Sequence, residues 1–250
     1  MLFRSFDAGQ MCCFMGRYAE AQALLEESLA IARETGDAHR IAAVLQPLGM
    51  AALGQGNRSA ARRHFEEALV LARQEGDRRE IAAALNNLAQ FHRAEGALDT
   101  AEPLYEQVLT LAREIGDKET VAIALLNLAM VSIARGARGH AQDALLGALA
   151  VAEETGSKRV GQSVLEVSAG LAVACREWDR AALFFGTAES QNTLTGLSRD
   201  PADEAFLAPL IAKARDALGA AAFAAIERDG VALSWDNAIV AAREFLRGGR

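Results

Sequence analysis

One forty-residue stretch decides the fold. Residues 78–117 read RREIAAALNNLAQFHRAEGALDTAEPLYEQVLTLAREIGD. Its first half places apolar residues such as Ile81 and Leu85 at steps of three and four, which is the spacing of one face of an α-helix. Gly96 then interrupts the pattern, as glycine does just after a helix C-terminus. A second helical pattern runs from about 98 to 115, so the stretch predicts two helices joined by a tight turn.

Glycines repeat on both sides of this stretch at a fixed period. Two sets of four glycines keep a spacing of 40 residues: Gly16, Gly56, Gly96 and Gly136, and then Gly36, Gly76, Gly116 and Gly156. Three members of the second set are followed by aspartate and the fourth by serine, and both residue types cap helix N-termini. Each unit is therefore predicted to be a helical hairpin. Because one hairpin cannot bury both of its faces, neighbouring hairpins must stack.

Small and large residues keep the same register. The small ones occupy one position of each first helix, and the large ones occupy one position of each second helix. The small set is Gly9, Gly49, Ala89, Ala129 and Ala169, and the large set is Leu25, Phe65, Tyr105, Leu145 and Phe185. Small residues let two helices approach closely, and we expect the large residues to fill the neighbouring gaps.

These residues make the chain resemble the tetratricopeptide repeat. The resemblance is carried by Leu88-Ala89, Gly96, Ala101 and Tyr105, and by the matching Leu48-Gly49, Gly56, Ala61 and Phe65. The period of 40 departs from the usual 34 and is similar to the long-helix variety of kinesin light chains, spindle-orientation adaptors and large bacterial regulators. The resemblance implies an all-α fold, a right-handed α-solenoid of antiparallel helix pairs with a C-terminal helical cap.

The repeats are expected to span residues 1–195 as about 4.5 to 5 units, with a shortened first unit, and a capping region is expected at 196–250. Three cap helices are predicted, at 202–218, 220–228 and 235–247. The tail also resembles the C-terminal end of bacterial LuxR-type and antibiotic-regulatory-type signalling ATPases and transcriptional regulators. That second resemblance is carried by Leu218-Gly219, Ala222-Phe223, Gly230, Leu233-Ser234 and Ala238.

Composition argues against several other classes of protein. Hydrophobic residues make up 51% of the chain, which is too many for a disordered protein. The net charge of −7 gives no electrostatic footprint for direct nucleic-acid binding. No metal-ligand or phosphate-loop spacing is present, so we predict that the chain is not an enzyme and needs no cofactor or metal. No apolar run is long enough for a membrane span and no export signal is present, so we expect a cytoplasmic location.

The concave groove of the repeats is the remaining candidate for a functional surface. The resemblance places ten first-helix residues there: Gln46, Met50, Asn86, Asn87, Gln90, Arg93, Leu126, Asn127, Met130 and Ile133. In the long-repeat adaptors an asparagine at the place of Asn87 and Asn127 holds the ligand backbone, and the alternative is an intrahelical or turn contact. Methionine suits adaptable apolar contact, and the polar side chains can orient a helix or an extended peptide.

We therefore predict a protein-interaction scaffold that binds a peptide or protein segment in this groove. The resemblance implies the regulatory or sensor arm of a bacterial signalling or transcriptional regulator, with ATPase or DNA-binding domains attached in a longer native chain. The alternatives are a stand-alone adaptor and a domain that senses a small-molecule effector. A homodimer is also considered, because the shortened first repeat is expected to leave Leu24 and Leu25 uncovered.

Overall fold

The computed structural model describes residues 2–195 and 199–248 of the chain. That part contains thirteen α-helices and no strand. The helices are α1 Leu2–Phe14, α2 Tyr18–Thr35, α3 Ala38–Gly54, α4 Arg58–Glu75, α5 Arg78–Ala94, α6 Leu98–Ile115, α7 Lys118–Ala134, α8 Arg138–Thr155, α9 Lys158–Ala174, α10 Trp178–Thr195, α11 Pro201–Leu218, α12 Ala220–Ala232 and α13 Trp235–Gly248. The predicted all-α fold of antiparallel helix pairs is confirmed.

The repeated glycines end the helices in the way the sequence predicts. Every glycine of the two sets has a positive φ, between 67° and 76°, which glycine adopts without a steric penalty. The residues after the second set cap the next helix: the side chains of Asp37, Asp77, Asp117 and Ser157 each accept a hydrogen bond from a backbone N–H of the first turn. Taken together, the two sets place a glycine every 20 residues from Gly16 to Gly156. The next position in this series is Arg176, which is not a glycine but also has a positive φ, 63°.

The paired small and large residues contact each other within the hairpins. A Cβ placed on Gly9 would lie 2.6 Å from Leu25 Cγ, and one placed on Gly49 would lie 2.3 Å from Phe65 Cε1. The predicted pairing is thus confirmed at both hairpins. Because Leu25 lies against Gly9 it is fully buried, so the expectation that it is uncovered was wrong. Leu24 is partly buried.

The chain divides into two compact units. The first is formed by Met1–Ile115 with Gly196–Asp203, and the second by Gly116–Thr195 with Glu204–Arg250. In the first unit three hairpins stack, with α2 against α3 and α4 against α5. In the second unit α8 packs against α9, α12 packs against α10, and α13 contacts α8, α9 and α10. The boundary predicted between repeats and cap at 195/196 stays a prediction.

The cap helix α12 is longer than its sequence pattern predicts. It continues beyond residue 228 to Ala232, because Gly230 serves close packing and does not end the helix. A Cβ on Gly230 would lie 2.2 Å from the carbonyl oxygen of Leu183, and one on Gly186 would lie 2.1 Å from that of Glu227. Two glycines therefore bring the backbones of α10 and α12 together. The following helix is capped by Ser234, as predicted, through the N–H of Asn237 at 3.4 Å.

Candidate binding surface

The ten predicted groove residues all lie on first helices of their hairpins, and they divide between the two units. The first unit contains Gln46 and Met50 on α3, with Asn86, Asn87, Gln90 and Arg93 on α5. The second unit contains Leu126, Asn127, Met130 and Ile133 on α7. Each group has its own surroundings.

Five of the six residues in the first unit are partly exposed, and they form what we call the α3–α5 face: Gln46, Met50, Asn86, Asn87 and Gln90. Asn87 Nδ2 donates to Gln46 Oε1 at 3.0 Å, and Gln46 Nε2 donates to Glu80 Oε2 at 3.0 Å. These bonds link α5 to α3. In this structure the amide of Asn87 therefore pairs with the neighbouring repeat, and it holds the Gln46 side chain in one orientation.

Arg93 differs from the other five because its side chain is only 4% exposed. Its Nε donates to Tyr105 Oη at 3.2 Å, and its Nη1 donates to the carbonyl oxygen of Ala202 at 3.1 Å. Its Nη2 forms an ion pair with Asp203. A guanidinium group suits this site because it presents several donors in a fixed plane. Arg93 therefore holds a segment of its own chain, where the sequence suggested an external ligand.

Burial controls the electrostatics around Arg93. Burial by itself lowers the pKa of Arg93, but Tyr105 and Asp203 raise it, and the net effect is a pKa above the usual range. Burial also raises the pKa of Tyr105 above its usual range, although Arg93 lowers it in part. The guanidinium is thus charged and the phenol neutral at physiological pH, which matches the hydrogen bond between them.

Asp200 caps the helix that brings Asp203 to Arg93. Its Oδ1 accepts from the N–H of Ala202 at 2.8 Å, and Pro201 follows at the first helical position, where proline is favoured. Burial and then the neighbouring Asp203 carboxylate raise the pKa of Asp200 to about 6.

Burial, with Cys12 and Asp200, raises the pKa of Cys13 to about 12. Cys13 is therefore a thiol at neutral pH, and thiols bind metals poorly.

In the second unit all four predicted groove residues are buried. Leu126, Met130 and Ile133 belong to one apolar cluster together with α11 residues Leu207, Ile211 and Ala214. One repeat after Met130 lies Gly170, where an added Cβ would lie 3.0 Å from Phe206 Cε1 and 3.3 Å from Leu210 Cδ1. A helix of the same chain thus lies against α9 at this repeat position, and it shares the apolar cluster of the α7 residues. The sequence did carry a signal for this burial. The α7 positions are apolar, whereas α5 has asparagine, glutamine and arginine at the matching positions.

No cluster of metal ligands is found in the described part of the chain: no three or more His, Cys, Asp or Glu side chains lie close enough to share an ion. Among the same residues, no helix combines the length and the apolar character that crossing a membrane requires.

The family model of the MalT-like TPR region matches residues 8–221. This match covers most of the chain, from within α1 to the start of α12. The chain belongs to the MalT-like TPR family. No curated protein sequence matches this MalT-like TPR chain.

Solved structures share its fold. The complex of NprR with its cognate peptide NprX matches with a TM-score of 0.62 and 18% identity, covering 100% of this chain and 71% of NprR. BtubC (BKLC) from P. vanneervenii matches with a TM-score of 0.58 and 23% identity, covering 88% of this chain and 90% of BtubC. The kinesin light chain TPR-like repeats from Podosopora anserina match with a TM-score of 0.54 and 20% identity, covering 87% of this chain and 97% of that one. At these identities the similarity establishes the TPR-like fold of the MalT-like TPR chain.

Proposed function

We propose that this chain is the regulatory arm of a bacterial signalling or transcriptional regulator, and that its α3–α5 face binds a peptide or protein segment. The observation that carries the proposal is the partly exposed set of amide and methionine side chains on that face, in a chain of the MalT-like TPR family. A TPR-like neighbour solved with a bound peptide, NprR with NprX, supports a peptide as the ligand. The chain acts by binding and carries out no chemical reaction.

The chemistry of the face suits a peptide backbone. Met50 supplies a flexible apolar contact, while Asn86 and Gln90 can donate to and accept from main-chain groups. Gln46 is held in place by Asn87 and Glu80, so less side-chain entropy is lost when a ligand binds. The four predicted residues of α7 differ, because they are already buried and three of them belong to the apolar cluster that also contains α11 residues.

The structure also decides which residues a binding test must leave unchanged. Arg93 was predicted to contact the ligand, but its removal would leave Tyr105 and Ala202 without a buried partner. A variant of Arg93 would therefore lose stability for reasons unrelated to ligand binding. The test variant is Met50→Ala with Gln90→Ala. The matched control changes two exposed residues of α6, Glu106→Ala with Gln107→Ala.

The experiment is a peptide-display selection on the immobilised full chain, followed by affinity measurements on the two variants. We expect selected peptides to bind the Met50 and Gln90 double variant at least about tenfold more weakly, which is about 1.4 kcal/mol, and to bind the α6 control like the original chain. Equal binding to all three proteins would refute the α3–α5 face as the site.

The regulatory context has its own test, an immunoblot of the source cell with an antibody against this region. A band well above 26.6 kDa supports the repeat arm of a larger regulator. A band at 26.6 kDa contradicts the larger regulator and indicates a stand-alone adaptor, and the α3–α5 face remains testable in either case.

A further inference from the structure

The hydrogen bonds that join α3 to α5 end on a carboxylate. Asn87 Nδ2 donates to Gln46 Oε1, and Gln46 Nε2 donates to Glu80 Oε2, each at 3.0 Å. Gln46 therefore uses both ends of its amide group within the protein. Glu80 is partly buried in the first turn of α5. We call these three residues the polar row of the α3–α5 face.

Glu80 has room for a further hydrogen-bond donor. An ionised carboxylate offers about four acceptor sites on its two oxygens. Among the described residues, Gln46 is the one side chain that donates to this carboxylate, and it does so through a neutral amide. Since the amide of Gln46 is itself held by Asn87, the Glu80 oxygens keep a fixed place beside the ligand-binding residues.

No cation pairs with Glu80 in the described part of the chain. Carboxylates elsewhere in the array do pair with a cation of a neighbouring repeat: Glu67 with Arg33, Glu114 with Arg78, and Glu154 with Lys118. Arg79 is next to Glu80 in sequence, but it is exposed and makes no ion pair with it. Because a partly buried carboxylate has lost some of its water, a cation brought by a ligand would be bound by a charge-assisted hydrogen bond.

Helix capping does not explain where the Glu80 side chain lies. In a capping box, a glutamate at this position accepts from the backbone N–H of the cap residue, which here is Asp77. The Glu80 carboxylate instead accepts from Gln46 of another helix. The repeat does not require an acid at this position either, since its equivalents are Arg40, Thr120 and Val160.

Glu80 is also within reach of a ligand that contacts the rest of the face. Glu80 and Gln90 are ten residues apart on α5, which is about 15 Å along the helix axis. Met50 of α3 occupies the same repeat position as Gln90. An extended peptide of about four to five residues covers this distance, so one short segment can meet the carboxylate and the methionine together.

We infer that Glu80 determines the class of peptide that the α3–α5 face binds, and that this peptide carries a lysine or an arginine whose side chain pairs with Glu80. The inference rests on the proposed function of this face. A peptide with an acidic residue at the same place is rejected, because two carboxylates would meet without a cation between them. The net charge of −7 also attracts a basic ligand at long range.

The test uses the peptides selected by display on the full chain, in which we expect lysine and arginine to be enriched over the starting library. The chain variants are Glu80→Gln, which keeps an oxygen to accept from Gln46, and the control Glu106→Gln on α6, where Glu106 is exposed. Both variants change the net charge by one unit. The peptide variant replaces with glutamine the basic residue that contributes most to binding.

Affinities for the four combinations of original and changed chain and peptide form a double-mutant cycle. We expect Glu80→Gln to weaken binding of the basic peptide at least fivefold and Glu106→Gln to leave it unchanged. The neutral peptide should bind at least fivefold more weakly to the original chain, and it should bind the Glu80→Gln variant with the same affinity as the original chain.

The outcomes separate this inference from the proposed function. Peptides that bind Glu80→Gln like the original chain, but are lost with Met50→Ala and Gln90→Ala, overturn the inference and leave the α3–α5 face as the site. An equal loss with Glu106→Gln also overturns it, because net charge would then explain the effect. Peptides that the Met50 and Gln90 double variant binds normally, or a selection without any binder, overturn both the inference and the proposed function.

Discussion

Replacing Asp203 with alanine removes the carboxylate that faces the guanidinium of Arg93. The Arg93 side chain is 4% exposed and that of Asp203 is 31% exposed, so the arginine cannot turn to water when its partner is lost. Removal of one partner of a fully buried pair costs about 3–5 kcal/mol. The cost here is smaller, because Asp203 is partly screened by water and because Tyr105 and Ala202 still accept hydrogen bonds from Arg93. We expect a loss of about 2 kcal/mol in the free energy of unfolding.

The double variant separates this effect from general damage. Arg93→Met keeps the apolar length of the side chain and removes its charge, so Asp203→Ala then leaves no buried cation behind. The two changes together should cost about 1.5–2 kcal/mol less than the sum of the single costs. The assay is urea unfolding followed by the helical circular dichroism signal of the original chain, both single variants and the double variant.

The exposed ion pair of Arg33 and Glu67 is the matched control in the same unit. Its side chains are 53% and 37% exposed. The same double-mutant cycle on this pair should give a coupling energy between the two side chains of about 0.5 kcal/mol or less. In about 0.5 M salt the control coupling should vanish, while that of Arg93 and Asp203 should largely remain. A coupling below about 0.5 kcal/mol for Arg93 and Asp203 would refute the claim that the buried pair holds this segment.

Three further predictions concern single positions. The raised pKa of Asp200, about 6 against a usual 3.8, means that the folded chain holds this proton more tightly than the unfolded chain, so its contribution to stability falls as pH rises from about 4 to about 6. Asp200→Asn keeps the helix cap and should be more stable than the original chain at pH 7 by up to about 3 kcal/mol, with no advantage at pH 4. Urea unfolding at both pH values checks this. A gain in stability that does not depend on pH would contradict it. Gly49→Ala would place a Cβ 2.3 Å from the ring of Phe65 and should lower the free energy of unfolding by about 1–2 kcal/mol. Adding Phe65→Leu copies the pair of Ala129 and Leu145 and should recover most of this loss, as measured by thermal unfolding. No recovery in the double variant would argue against the contact. Arg176→Gly should stabilise the chain by about 1 kcal/mol because the left-handed φ of 63° then carries no Cβ penalty, and an unchanged or lower melting temperature would contradict this.

The local features of the repeats could be predicted from the sequence. The φ of Gly96 and the cap at Asp117 depend only on a few adjacent residues. The contact of Gly49 with Phe65 joins two helices of one hairpin, so the 40-residue register was enough to find it. Even Arg176 follows the series, because the hairpin turn requires a left-handed residue whether or not glycine is present.

The candidate site was less predictable, because its exposure depends on a distant part of the chain. Arg93 matches a ligand position in the repeat, but its partners Ala202 and Asp203 lie 109 and 110 residues further on, beyond the last repeat. Leu126 and Met130 read equally well as a surface for a ligand and as a surface for another helix of the same chain. A periodic pattern shows which side of a helix is apolar and does not show what covers it.

The sequence by itself determined the helices, their turns and their pairing, because these arise from dihedral preferences, capping and side-chain size over short distances. Tertiary structure alone decided which of the repeated positions stay accessible. The same position is covered by α11 at Gly170 and partly exposed at Gln90, and another is buried at Phe91 and open at Met11. Burial depends on the neighbour that packs against a position, and in a repeat array that neighbour changes along the chain while the local sequence pattern stays the same.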